Sequence, residues 1–300
     1  MAERRLQVFQ AVVKHGSFTR AAEALFMSQP SVTFQIRQLE EQYRVRLLDR
    51  NTGNVTPTPA GELLLDYANR ILALSDEVDA RMAEMTDLIR GTLIVAACTT
   101  AGATLMPALL GEFNARLPQV RARLIVANSE AVAAMVAARQ AHVGIVDAEP
   151  AVPGVSALPC GHDEVVAVFA PDHPLARAAK VQAPALAEYE LLAREPGSGT
   201  RSVAEAWFAA QGIAGAELKV QMELGSPESL LEVAAGGLGF ALVSRRTAAP
   251  AVEAKRLRAV RLEPPLRRLL YLIQPDERFR PRLVEEFAAM AIRYFKEDAA

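Results

Sequence analysis

Within the first forty positions apolar residues recur three times at helical spacing, and residues that stop or cap a helix separate the runs. Leu6, Phe9, Val12 and Val13 form the first stripe, which Gly16 ends. Ser17 is placed to cap a second short helix, with Phe18, Ala21, Ala22 and Leu25 inside. After a tight turn at Phe26 and Met27, Ser28 caps a third helix. Pro30 sits in its first turn, where a missing N–H costs nothing, and Val32, Ile36 and Leu39 are buried. The run VRLLDRNTGNVTPTPAG then holds the turn residues Asn51, Gly53 and Asn54 between short extended pieces, and Thr56, Pro57 and Pro59 keep it out of helix. It predicts a β-hairpin beside three helices.

From Ala60 to Ile89, once past Gly61 in the first turn, no Pro or Gly breaks a helical pattern of Leu64, Tyr67, Ile71, Leu74, Val78, Met82, Met85, Leu88 and Ile89. Glu62, Asp66, Asp76, Glu77 and Asp79 keep its other face wet. Such a helix serves as a dimerisation arm or packs on its own domain; Leu64, Ile71, Val78 and Met85, at seven-residue steps, offer a coiled-coil seam. Beyond Gly91 the pattern becomes short β-rich runs between helices: TLIVAAC, VRARLIVA, HVGIVD, EVVAVFAP, ELLARE, KVQMEL, GFALVS and RRLLYLIQ. That alternation predicts α/β structure with largely parallel sheets. Two sheets of about four strands fit better than one of eight. The polar stretch near Gly161 and the pair Pro264-Pro265 mark where the chain crosses between lobes. A final amphipathic helix runs from Arg280 to Lys296.

Composition narrows the function. Length alone predicts two or three folding units, and 51% hydrophobic with 23% charged residues is ordinary globular composition. The net charge of -2 excludes a bulk polycation. Charge is uneven, however: residues 1–59 hold eight basic side chains against five acidic ones, and the remainder carries the acidic excess. Two distant cysteines, Cys98 and Cys160, cannot build a disulfide framework or a Cys-rich metal site. With no signal-peptide pattern and no long apolar run, the sequence reads as a soluble cytoplasmic protein away from membranes.

Three short helices with tight turns are the helix-turn-helix arrangement, in which the helix after the turn enters the major groove. Gln29, Pro30, Ser31, Thr33, Gln35 and Arg37, behind the cap Ser28, lie on or near its exposed side. Gln pairs with adenine, Thr and Pro touch the thymine methyl, and Arg reaches guanine or phosphate. A second candidate site lies at strand ends. Thr99 and Thr100 follow the first strand, and Asn128 and Ser129 the second. REPGSGTR supplies Glu195, Ser198, Gly199, Thr200 and Arg201, and Ser226 opens another helix. Each start offers free N–H groups and a hydroxyl to a carboxylate, phosphate or sulfate, or is simply a helix cap. PGSGT lacks the Lys of a phosphate-binding P-loop, GGLGF is not a dinucleotide fingerprint, and His142, His162 and His173 lack metal spacing, so neither cofactor nor metal is expected. Cys98 adjoins the strand end without a basic cluster to activate it as a redox sensor.

The run AAEALFMSQPSVTFQIRQLEEQYRVRLLDR, followed by TPTPAG, closely resembles the N-terminal domain of LysR-type transcriptional regulators, and the resemblance extends in order along the whole chain. Phe34 departs from it, standing where a basic or polar residue is usual, and Leu48 replaces the usual aromatic. The resemblance implies a winged helix-turn-helix over residues 1–59 and a linker and dimerisation helix over 60–90. A two-lobed α/β effector domain, similar to periplasmic binding proteins, would follow, with lobe I at 91–162 and 267–300 and lobe II at 163–266. It also implies that Gln29, Pro30 and Thr33 read base edges, that Arg50 contacts phosphate, and that the four helix starts face one another across a cleft. The expected function is ligand-responsive transcription regulation without enzymatic activity, by a dimer of dimers on double-stranded promoter DNA, with RNA polymerase a further candidate partner. REPGSGTR resembles regulators of sulfur assimilation and carbon fixation, favouring a phosphate- or sulfate-type effector over a carboxylate. The alternative is a small-molecule-binding or enzyme domain whose N-terminal helices serve only assembly.

Overall fold

The computed structural model of the chain describes residues 2–51, 54–84, 89–277 and 280–297. It divides into two compact units, Met1–Asp87 and Leu88–Ala300.

In the first unit, α1 (Ala2–His15), α2 (Phe18–Ala24) and α3 (Gln29–Tyr43) enclose Leu6, Phe9, Val12, Ala21, Ala22, Val32, Ile36 and Leu39. The punctuation is as the sequence predicts: Gly16 takes φ +58°, and the hydroxyls of Ser17 and Ser28 accept from the backbone N–H of Arg20 and Ser31. Strands β1 (Leu48–Asn51) and β2 (Asn54–Pro57) pair antiparallel as the wing, Arg50 opposite Val55. Helix α4 (Pro59–Glu84) leaves the wing through Gly61, where a β-carbon would overlap the carbonyl oxygen of Leu47. Its early turns return to the three-helix core through Ala68 and Leu72, and Gln10 donates to Asn69 at 2.8 Å. Leu64 also packs on that core, so the expected seam is shifted. The exposed stripe is instead Leu63, Tyr67, Ile71, Leu74, Val78 and Met82. Met85 and Leu88 lie outside the described residues.

The second unit runs β3 (Gly91–Cys98), α5 (Thr99–Thr104), α6 (Met106–Arg116), β4 (Val120–Ala127), α7 (Ser129–Ala137), β5 (Val143–Val146) and β6 (Val155–Phe169). It continues with β7 (Lys180–Gln182), α8 (Ala183–Ala187), β8 (Leu191–Arg194), α9 (Gly199–Ala210), β9 (Val220–Leu224), α10 (Pro227–Ala235) and β10 (Phe240–Ser244). The last elements are α11 (Arg245–Glu253), β11 (Arg258–Pro275) and α12 (Arg282–Glu297).

The expectation of two separate sheets needs correction, although most strand pairings are parallel as expected. The ladder is continuous, in the order β4-β3-β5-β11-β6-β10-β8-β9 with β7 on β11, because β6 and β11 are long antiparallel partners that traverse both lobes. Gly161 is a strand residue inside β6, placed where a side chain would press on Phe295 of α12. Register slips between Arg261 and Leu266, where the Pro264-Pro265 pair supplies no N–H to the ladder. The cores part there. In one lobe Leu93, Val95, Phe113, Ile145, Leu272 and Phe287 cluster on one sheet face; in the other Phe169, Phe208, Phe240, Leu242 and Val260 do so. Trp207 on α9 bridges to the interruption, its Nε1–H donating to the carbonyl of Pro264 at 2.9 Å.

Phe113 is fully buried and meets Phe287 edge-on, ring centroids 5.2 Å apart. Phe113→Ala should therefore lower stability by about 3–5 kcal/mol, read as a shift of the denaturation midpoint; a change below about 1 kcal/mol would mean that the site collapses without a cavity.

Candidate functional site

Two surfaces carry the expected chemistry, one in each unit. On α3, Ser28, Gln29, Pro30, Ser31 and Arg37 are exposed, whereas Thr33 and Gln35 are half-buried. Gln29 Nε2 donates to Thr33 Oγ1 at 3.0 Å, which orients the amide along the helix, and Arg37 is held by Glu41 at 2.8 Å. Ser28 and Ser31 share a hydrogen bond of 2.8 Å at the cap. The backbone of Arg50 lies in β1, and its side chain is outside the described residues. Phe34 on this helix and Phe26 in the turn before it are also exposed, at 57% and 98%, so this surface is not purely polar.

In the second unit the predicted helix starts surround a buried ionic cluster. The guanidinium of Arg268, from β11, donates through Nε to Asp163 at 2.8 Å, through one terminal nitrogen to Asp147 and to Thr200 Oγ1 at 2.7 Å, and through the other to Thr100 Oγ1 at 3.1 Å. Ser129 Oγ donates to Asp147 Oδ1 at 2.5 Å, Thr200 Oγ1 to Asp147 Oδ2 at 3.4 Å, and Ser244 Oγ to Asp163 Oδ1 at 2.8 Å. All seven residues are buried. Burial alone would lower the affinity of the Arg268 guanidinium for its proton; Asp147 and Asp163 outweigh that and raise it.

Around the cluster the two lobes touch directly. The backbone N–H of Glu130 donates to the Gly197 carbonyl at 3.1 Å, Asn128 Nδ2 to the Pro196 carbonyl at 3.4 Å, and Arg194 to Thr99 Oγ1 at 3.2 Å. Glu195 clasps the same Arg194 guanidinium at 2.8 and 3.0 Å. Gly197 has φ +82° and faces Glu130 and Asn128, leaving no room for a side chain.

Not every expected residue behaves alike. Asn128 caps α7 by accepting from Ala131 N–H at 2.9 Å, and Ser226 caps α10 by accepting from Ser229 N–H at 3.1 Å. Ser198 precedes α9 and is buried, but its hydroxyl does not cap that helix. Arg201, a candidate ligand residue, gives its guanidinium to Glu205 at 2.7 Å, Glu223 at 2.5 Å and the Arg194 carbonyl at 3.0 Å. Cys98 is buried, and burial, reinforced by Asp147, pushes its thiol far above the ordinary range and keeps it neutral; Cys160 is pushed up to about 12 by burial.

Sequence reasoning missed Asp147, Asp163, Arg268 and Ser244. A signal was present: each is a charged or polar residue beside an apolar run or, for Asp163, one position from it, in HVGIVD, GHDEVVAVF, RRLLYLIQ and GFALVS. Thr247, in the first turn of α11, was missed too; its hydroxyl and Gln274 Nε2 are the buried side-chain atoms among the described residues without a partner. A separate groove of about 590 Å³ lies between α6 and the first half of β4, away from the carboxyl ends of the parallel strands where ligands of such sheets bind. Among the described residues no cluster of His, Cys, Asp and Glu has a metal-ligating arrangement, and no helix is long and apolar enough to cross a membrane.

Comparison with known proteins places both units in one family. Residues 4–62 match the family described as bacterial regulatory helix-turn-helix protein, lysR family, and residues 86–296 match the LysR substrate binding domain. A probable RuBisCO transcriptional regulator of Cyanidioschyzon merolae is 34% identical over 287 residues, 94% of this chain and 95% of the relative. One of Porphyra purpurea is 32% identical over 97% of this chain and 93% of the relative. Among solved structures, the CcmR regulatory domain of Synechocystis PCC6803 in complex with 2-phosphoglycolate (2-PG) superposes with TM-score 0.65 at 26% identity, over 70% of this chain and all of that one. The full-length LysR regulator CbnR superposes with TM-score 0.70 at 22% identity, over 98% of this chain and 99% of that one.

If Arg268 is what makes the buried carboxylates tolerable, Arg268→Met should cost about 3–5 kcal/mol at neutral pH. Two buried carboxylates would then be left with hydroxyl partners but no cation. The loss is read as a shift of the denaturation midpoint, and one below about 1 kcal/mol would show that the pairs carry no such weight.

Proposed function

The chain belongs to the LysR family of bacterial transcriptional regulators, and from that premise we propose how its two surfaces divide the work of a ligand-responsive, DNA-binding regulator. What carries the reading is one chain holding both an outward-facing recognition helix and an α/β domain with hydroxyl-bearing helix starts gathered on a buried arginine.

In this reading residues 1–59 bind promoter DNA, 60–90 form the dimer arm, 91–162 with 267–300 make lobe I, and 163–266 make lobe II. Ser28, Gln29, Pro30, Ser31, Thr33, Gln35 and Arg37 meet the major groove, and Arg50 the phosphate backbone. The effector is a small anion held between the lobes by Thr99, Thr100, Ser129, Ser198, Gly199 and Thr200, with Asn128, Glu195, Arg201 and Ser226 shaping the surrounding helix starts. Two observations favour a phosphorylated acid over a plain carboxylate: the CcmR domain is in complex with 2-PG, and the curated relatives are named for RuBisCO regulation. Anion binding biases the lobes toward one arrangement and so alters how a cytoplasmic dimer, or pair of dimers, holds and bends its promoter. RNA polymerase is the partner this implies for activation. The protein acts by binding, without catalysing a reaction.

Gln29→Ala should weaken specific binding to the DNA upstream of the protein's own gene by about 1–3 kcal/mol while sparing non-specific binding. Arg50→Ala should weaken binding to all sequences and reduce the salt slope by about one unit. Identical behaviour of the two variants in a gel-shift salt series would refute this division.

The exposed stripe on α4 generates a second expectation. Ile71→Glu with Val78→Glu places charges on side chains 48% and 52% exposed in the single chain, so the fold should survive while dimers and operator binding are lost together. A monomer by ultracentrifugation that still binds its operator tightly would sink the dimer-arm reading.

A further inference from the structure

We propose that the anion position of the cleft is held by the protein's own carboxylate, that of Asp147, and that the effector binds by taking its place on Arg268, Thr200 and Ser129. The inference rests on reading the cleft as the effector site and adds the group with which the effector competes.

The start of α9 is shaped around a carboxylate. Gly199 opens this twelve-residue helix, and a β-carbon there would overlap Asp147 Oδ1 and lie 3.1 Å from Ser129 Oγ. One oxygen of Asp147 accepts from Ser129 at 2.5 Å; the other accepts from Thr200 at 3.4 Å and from Arg268. Ser129 belongs to α7 in one lobe and Thr200 to α9 in the other, so this internal anion spans the lobes as an external one would. The N-terminus of a helix, two hydroxyls and a guanidinium form the donor set that oxyanions select.

Asp163 is different. It takes the Nε side of Arg268 on β11 at 2.8 Å and the hydroxyl of Ser244 at 2.8 Å, which ends β10 and caps α11, a helix start outside the set that converges on Asp147. It remains the counter-ion of Arg268 when Asp147 leaves. Asp147 is the carboxylate outside regular structure, being the first residue beyond β5, at the head of the segment 147–154 that has no helix or strand. Three converging donors from three elements suit the three terminal oxygens of a phosphate monoester, or three of the four of sulfate, better than the two of a carboxylate. The ligand class is therefore a small tetrahedral oxyanion.

Calorimetry of the full chain with 2-phosphoglycolate and with inorganic sulfate tests the exchange. Asp147→Asn should bind at least about tenfold more tightly than the natural chain, the worth of one charged hydrogen bond no longer competed for. Asp147→Ser, smaller and equally neutral, should show the same gain, so the test does not depend on one substitution folding well. Asp163→Asn removes the same charge from the same arginine and should gain less than about threefold, under 1 kcal/mol on the scale of tenfold per 1.4 kcal/mol. Equal gains in the Asp147 and Asp163 variants would reduce the effect to net charge and overturn the exchange. So would unchanged or weaker binding in both Asp147 variants. Binding of neither anion to any form would instead remove the effector-site reading itself.

Discussion

A single guanidinium buried between two carboxylates is the constraint around which the larger unit is organised. Separating such charges from water costs several kcal/mol per ion, and close contact repays it only when every remaining donor and acceptor finds a partner. Here the partners come from the ends of many elements: Thr100 from α5, Ser129 from α7, Thr200 from α9, Ser244 from β10, and the charges themselves from β6, β11 and the residue after β5. Displacing any one of these termini leaves a buried polar group unsatisfied. The apolar cores on either side hold the lobes together internally, but they are non-directional. The ionic cluster is directional, and it fixes how the helix starts converge.

Under the proposed reading of the cleft, the same arrangement gives a regulator of this class its sensitivity to a small molecule. A ligand moves an equilibrium only by the difference in its affinity for two states, and a factor of about ten thousand is needed for a near-complete switch. A cleft lined by neutral caps would offer little such difference. A desolvated arginine offers more, since its interactions are strong and depend on lobe position, Asp147 and Thr200 reaching it from opposite lobes. The direct contacts of Glu130 with Gly197 and of Arg194 with Thr99 add a rim of weaker bonds that also reads lobe position.

Local chemistry was legible along the chain wherever it governs structure. Gly16, Ser17, Ser28 and Pro30 punctuate the helices as propensity and capping require, and β4 is the run VRARLIVA from end to end. The helix starts at Thr99, Ser129 and Gly199 were legible as well. The sheet's continuity was not. Period-two patterning identifies a strand but not its partner, and β6 and β11 gain their length from pairing with each other across residues that look polar or proline-rich in isolation. The charged cluster was hidden for a related reason: Asp147 and Arg268 are separated by 121 residues, and each alone reads as a charge at the edge of an apolar run. Leu64 shows the converse, a residue correct in period and wrong in face, because the core of its own unit takes it.

One side chain gives the joint between the lobes an optical signature. Trp207 is the only tryptophan of the chain, and its indole N–H is bonded to the Pro264 carbonyl, at the point where the ladder between β6 and β11 loses register. Indole emission responds to hydration and to hydrogen bonding at the ring nitrogen. The natural protein thus carries an unlabelled fluorophore seated where its longest strand pair is interrupted, and a change at that point can be followed in real time, with no other tryptophan to dilute the signal.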